Sequence, residues 1–316
     1  MVGANKGGGD SDNLIDKEKE AMALLPMEED ILPPYDDRIF KALLTHPDAE
    51  PALIDLLSAI LGSRVSEVQI FNNELPVTDI EEKAERLDVN CVVDGHDQVN
   101  VEMQGSRIEE LYDGHTNFIN KYIYYMTDLH SSQKSKGIQY YNLVRTYQVT
   151  FSKHIVFPKH EGFITHCRMY AQDGELISDQ INMIVIELCK LGNVLNKPVD
   201  QMTPLEMWSV FLGHADDFKH RKLINKIIER NEVLGMAGAV LTAISKDEDE
   251  RARIISRRKA ETDRISNLLT VEARGKAQGE IVGIMKVAER MKAAGKTIDE
   301  IASFTGLTND DINKLA

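Results

Sequence analysis

Hydrophobic and polar positions alternate most sharply between residues 86 and 104. Leu87, Val89, Cys91 and Val93 take every second place, and Val99, Val101 and Met103 do the same after Asp94-Gly95-His96-Asp97. A period of two over that length predicts two β-strands. The short Gly-containing segment between them predicts an antiparallel hairpin. Residues directly opposite in such a pair share a face. Two registers keep the apolar faces matched. One sets Asp88 opposite Glu102 around the loop Asp94-Gly95-His96, and the other sets Asp88 opposite Gln104 around Gly95-His96-Asp97. A slip of one residue would send the acids to opposite faces.

The flanking patterns are helical and strand-like in turn. Asp36 or Asp37 is placed to cap a helix reaching about Leu44, with Ile39, Phe40, Leu43 and Leu44 at helical spacing. Pro51 opens a second apolar helix through Leu53, Leu56, Leu57 and Ile60, and Gly62 ends it. Strands are expected near 65–71, 143–157, 163–170 and 181–188. A helix is expected over 109–135, with Tyr112, Phe118, Tyr122, Ile123, Tyr125, Met126 and Leu129 as its apolar stripe. From Pro204 onward the pattern is helical. Strand, hairpin, helix and strand between flanking helices predict an α/β or α+β sandwich.

Three regions follow from the same reading. Residues 1–30, Gly-rich and then acidic, are expected to be a disordered tail. Residues 31–240 form the main domain. Residues 241–316 form a charged helical tail, with a long solvated helix over 247–292 whose spaced glycines each weaken it by up to ~1 kcal/mol. Thr297-Ile298-Asp299-Glu300 has the capping-box pattern. Helix, Thr305-Gly306 and a second helix then outline a helix-turn-helix. That second helix is short and acidic, a poor reader of the major groove. A packing or oligomerising role is the expectation it supports.

Composition narrows the function. With 316 residues, 42% of them hydrophobic, the chain can bury a real core. Its net charge of −14 excludes a protein that coats DNA by charge, but not an enzyme that meets DNA through a local patch. Residues 251–292 hold 11 Lys or Arg against 5 Asp or Glu. Cys91, Cys167 and Cys189 form no zinc or redox spacing. No apolar run approaches the ~18 residues of a membrane span, and the N-terminus lacks a signal-peptide core. The expected location is the cytoplasm.

Candidate chemistry concentrates on the hairpin. Asp88, Asn100, Glu102 and Gln104 fall on its polar positions. Two carboxylates and an amide on one sheet face are the raw material of a divalent-metal site. Spacing alone favours the plainer reading, the solvated face of an ordinary hairpin. His160 and His166-Cys167 match no zinc pattern, and Gly7-Gly8-Gly9 lacks the Lys and Ser/Thr of a phosphate loop. Trp208 reads as core. Tyr122, Tyr124, Tyr125, Tyr140 and Tyr141 are dense enough for one or two to line a DNA groove.

The segments Asp37-Arg38-Ile39-Phe40-Lys41, Phe71-Asn72-Asn73-Glu74-Leu75-Pro76, Lys83 through Arg86-Leu87-Asp88-Val89, and Val101-Glu102-Met103-Gln104 occur in this order. Together they resemble the PD-(D/E)XK nuclease family transposases, also called the recombination-promoting nuclease family. Lys121-Tyr122-Ile123-Tyr124-Tyr125 is similar to the family's Arg-containing helix before a tyrosine pair. Gly137, Tyr140 or Tyr141, and Leu143 resemble its run before the next strand. The charged tail, with its closing Ile301–Leu307, resembles the family's C-terminus.

The resemblance implies a restriction-endonuclease-like PD-(D/E)XK core, a mixed sheet flanked by helices with a helical C-terminal extension. It implies a DNA endonuclease that uses Mg²⁺ or Mn²⁺ and promotes recombination or serves a mobile element. Transferred by position, Asp88 and Glu102 become the metal ligands, and Asp37 an additional ligand or water holder. Gln104 stands where the family pattern has a lysine that orients or activates the attacking water. A glutamine can orient water by hydrogen bonding but carries no charge. Lys83, Arg86 and Lys121 would neutralise the phosphate backbone, with Lys121 standing in place of an arginine. The alternative is a nuclease fold that has lost its chemistry and serves DNA binding or assembly. Self-association through the C-terminal helices is expected in either case. Nothing in the chain requires strand transfer rather than nicking.

Overall fold

The computed structural model describes residues 24–71, 88–105, 114–133 and 139–315. Its strands are β1 (Val68–Ile70), β2 (Val89–Val93), β3 (Asp97–Gln104), β4 (Thr146–Ser152), β5 (Ile164–Tyr170) and β6 (Leu176–Glu187). Its helices are α1 (Asp37–Leu44), α2 (Glu50–Leu61), α3 (Gly114–Ser132), the single turn α4 (Gly192–Leu195), α5 (Pro204–His214), α6 (Arg221–Arg230), α7 (Glu232–Lys246), α8 (Glu248–Ala293), α9 (Ile298–Thr305) and α10 (Asn309–Asn313). The described strands make one six-stranded sheet in the order β1-β2-β3-β4-β6-β5. β3, β4 and β6 run parallel, and the outer pairings are antiparallel. This is the mixed sheet with flanking helices that the resemblance implies.

The hairpin takes the first of its two registers. Val89 faces Val101 and Val93 faces Asp97, which sets Asp88 opposite Glu102 and leaves Asp94-Gly95-His96 as the loop. Asp94 and Gly95 both have positive φ, 50° and 73°. The His96 N–H donates to the Val93 carbonyl at 3.0 Å, closing a turn that matches the twist of the strands. The Asp94 carboxylate accepts from the N–H groups of Ser66 and Glu67 at 2.8 and 2.9 Å, which ties the turn to the chain entering β1. β4 is shorter than the apolar pattern suggests. It stops at Ser152, where the His154 N–H donates to the Ser152 hydroxyl at 3.1 Å and turns the chain.

The two sheet faces carry different cores. Val89, Cys91, Val101, Met103, Val149 and Phe151 are buried on the apolar face. α1 packs there through Phe40, whose ring lies 5.9 Å from that of Phe151. Behind α1 lie α2, α5 and α7. Trp208 on α5 is fully buried and donates its indole N–H to Asp55 on α2 at 2.7 Å. The other face is polar in sequence yet is covered by α3. Phe118, Tyr122, Tyr125, Met126 and Leu129 pack on Val156, Met183 and Val185. Asn100, Gln148 and Thr150 are therefore wholly buried and Glu102 is 4% exposed. The plain expectation of a solvated hairpin face is overturned, because the amphipathic stripe of α3 needs a surface and the central strands supply it.

The chain divides into two compact units, Met1–Glu248 and Asp249–Ala316. In the first, the tail expectation for residues 1–30 meets the described chain only at its last seven positions. There Leu25 is buried, and the Asn225 side chain accepts from its N–H and donates to its carbonyl, both at 3.0 Å. The rest of that tail lies outside the described residues. In the second unit, most of α8 runs exposed and leads to a small core of Ala288, Ile301, Ile312 and Leu315. Thr297 closes the expected capping box with Glu300, and Gly306 ends α9 with φ 71°.

Gly105 follows β3 directly, and a Cβ there would overlap the Tyr35 carbonyl oxygen. Its N–H donates to Asp37 Oδ1 at 3.4 Å. The end of β3 and the start of α1 thus meet through a residue with no side chain. Gly105→Ala should cost about 2–3 kcal/mol, because the neighbour it meets is backbone and not a flexible side chain. Urea unfolding measures this, and an unchanged midpoint would refute the close approach.

Candidate metal centre

Asp88 and Glu102 are fixed by each other's strands. The Met103 N–H donates to Asp88 Oδ2 at 2.9 Å, and the Asp88 N–H donates to Glu102 Oε1 at 3.1 Å. Asn100, two residues before Glu102 and so on its face, donates from Nδ2 to Glu102 Oε1 at 3.0 Å and to Gln148 Oε1 at 2.9 Å. Asp36 takes the N-cap of α1, accepting from the Arg38 N–H at 3.1 Å. Asp37 is left one residue on, beside the end of β3. Gln104 is half-buried, and its Oε1 accepts from the Tyr122 hydroxyl at 3.3 Å. Lys121 is exposed on α3, with its ammonium 4.9 and 5.3 Å from the ring centres of Tyr122 and Tyr125.

The electrostatics are those of crowded, poorly solvated acids. Burial, then the Glu102 charge, raise the Asp88 carboxyl to about 8, with Asp37 adding to the rise and the Met103 N–H and Lys41 opposing it. Burial raises Glu102 as well, and Asp37 adds to it, while Asn100, Lys121 and the Asp88 N–H hold it down. The Tyr122 phenol is pushed up by burial and by both carboxylates. A dication relieves such a penalty, and an all-oxygen donor set suits a hard one. The residues present therefore fit Mg²⁺ or Mn²⁺ at Asp88 and Glu102, with Asp37 within electrostatic reach.

Asp37, Asp88, Glu102, Gln104 and Lys121 thus converge on one end of the β2–β3 pair. Lys83 and Arg86 lie outside the described residues. Sequence reasoning gave no role beside the acids to Lys41, to Asn100, which it placed only among the hairpin's polar positions, or to Tyr122, which it weighed only for a DNA groove. Lys41 stands four residues after Asp37, on the same helix face, and this spacing was available as a signal. Asn100 shares the strand parity of Glu102. Tyr122 was absorbed into the apolar stripe of α3, where its ring does belong. Of the other tyrosines, Tyr125 is buried, whereas Tyr140 and Tyr141 are 73% and 83% exposed.

A family model described as PD-(D/E)XK nuclease family transposase matches residues 34–270, a span that holds the whole described sheet and α1 to α7. No curated protein and no solved structure gives a significant match. Among the described residues, no helix is long and apolar enough to cross a membrane.

The raised Asp88 carboxyl has a consequence for stability. Its folded value lies above its unfolded one, so the native state keeps a proton that the unfolded chain releases. The stability this gives is full at pH below about 4 and is lost as pH rises toward about 8. Asp88→Asn retains a carbonyl acceptor for the Met103 N–H without the charge. In chelator it should stabilise the protein more at pH 8 than at pH 5, by a difference on the order of 2 kcal/mol. Urea unfolding at the two pH values reads this directly. An equal effect at both would show that Asp88 titrates normally.

Proposed function

We propose that this chain, which belongs to the PD-(D/E)XK nuclease family transposases, is a divalent-metal-dependent DNA endonuclease whose cuts promote recombination or serve a mobile element. The observation that carries the proposal is the pairing of Asp88 with Glu102 across β2 and β3, Glu102 buried and Asp88 half-buried, each raised and both within reach of Asp37. Asp88 and Glu102 would hold Mg²⁺ or Mn²⁺. When bound, such an ion neutralises phosphate charge and lowers the pKa of water. Gln104 would orient the attacking water through its amide, held in place by the Tyr122 hydroxyl. Asp37 would hold water or add a ligand on the α1 side. Lys121, exposed and stacked over two tyrosine rings, would take a backbone phosphate. The same role is proposed for Lys83 and Arg86. Residues 241–316 are proposed as an assembly element.

The neutrality of Gln104 favours a second reading, a nuclease fold kept for DNA binding or assembly. It expects DNA affinity that is indifferent to Glu102 and no metal at the hairpin. Supercoiled plasmid with Mg²⁺ or Mn²⁺ separates the two readings. The intact chain should nick it, and Asp88→Ala should lower the rate by about 10²-fold or more. Equal nicking by both preparations would sink the site assignment. Calorimetric Mn²⁺ binding that Glu102→Ala abolishes would sink the second reading.

A further inference from the structure

The last residue of α5, His214, and the connection to α6, with Asp217 and His220, place these three side chains at intervals of three. Its backbone explains why they meet. The Asp217 N–H donates to the His214 carbonyl and the His220 N–H to the Asp217 carbonyl, each at 3.0 Å. Two consecutive i to i+3 turns repeat every three residues, so side chains at i, i+3 and i+6 stack on one side. The imidazole rings lie 4.6 Å apart, and His220 Nδ1 is 3.0 Å from Asp217 Oδ2. One donor atom from each of the three falls within 4.8 Å of the others. All three residues are half-buried, which leaves access for solvent ligands.

The geometry points to a second metal site, formed by His214, Asp217 and His220, for a borderline transition-metal dication of the Zn²⁺ type. Two imidazoles and one carboxylate, with a position left for water, suit zinc or cobalt over Mg²⁺, which prefers oxygen and keeps its waters. The donor set contrasts with the all-oxygen pair at Asp88 and Glu102, so the two sites select different ions. Lys153 opposes a cation here. Its ammonium donates to the Gly213 carbonyl at 2.7 Å, and it feels both Asp216 and Asp217, whose charges offset it.

The site also has a structural connection to β3. The Lys153 N–H donates to the Gln104 carbonyl at 3.1 Å. A metal at the junction would brace the end of α5 that Lys153 grips, and through Lys153 the strand end bearing Gln104.

Zn²⁺ competed against a chromophoric chelator, with the full chain in excess Mg²⁺, tests this. The intact chain should hold one Zn²⁺, and Zn²⁺ should raise its melting temperature. Glu102→Gln should leave both results unchanged. His220→Asn and the near-isosteric Asp217→Asn should each weaken Zn²⁺ binding about tenfold or more. If Glu102→Gln loses Zn²⁺ while both loop variants keep it, the ion belongs to the hairpin and the inference is overturned. It is equally overturned if Zn²⁺ affinity is the same in the intact chain and in both loop variants. Neither result bears on plasmid nicking by the hairpin site, which is read separately.

Discussion

Two carboxylates held against one another out of water are the constraint on which the arrangement of this protein depends. Asp88 and Glu102 oppose each other across β2 and β3, and burial raises both. A buried charge without compensation costs more than most single interactions return. The chain compensates in part, by giving each acid a backbone N–H from the other's strand and by aiming Asn100 at Glu102. It then brings Asp37 toward them, which makes the problem worse. A fold that needed only stability would place an apolar residue or a lysine at one of these positions. Retaining three acids is consistent with a site shaped to be completed by a cation.

The layers of the fold follow from accommodating that pair. The apolar face of β2, β3 and β4 anchors α1 through Phe40, and this fixes where α1 begins and hence where Asp37 sits. The absent side chain at Gly105 lets the start of α1 close on the end of β3. The polar face is sealed by α3, and its buried amides and hydroxyls answer one another: Asn100 to Gln148, Gln148 to Thr150, His130 to Thr146. This network locks the strand register from the side opposite the apolar core, so the relation of Asp88 to Glu102 is held from both faces.

Much of this was legible in the sequence, and the gaps have physical causes. Strict alternation narrowed the hairpin to two registers, and the positive-φ pair Asp94-Gly95 decides between them through turn geometry that apolar matching cannot see. The helix starts at Asp36 and Pro204 and the stop at Gly62 are local chemistry, and local chemistry can be read. Burial of the polar face could not be read, because it depends on where α3 docks, a contact between segments far apart in the chain. The same holds for Leu25, whose place is set by Asn225, 200 residues away. The cluster of His214, Asp217 and His220 escaped because its spacing of three belongs to tight turns and not to the zinc patterns sought.

The remaining argument concerns charge. The family pattern puts a cation on the strand two residues after Glu102, where this chain has Gln104. The structure supplies cations from outside the sheet: Lys121 on α3 acts on Glu102, and Lys41 on α1 acts on Asp88. These two lysines come from different helices, packed on different faces of the sheet. Lys121 is exposed, so under the proposed function it would be open to a bulky phosphate chain. The neutral Gln104 is thus compatible with a working centre in which orientation of water and supply of positive charge are carried by separate residues.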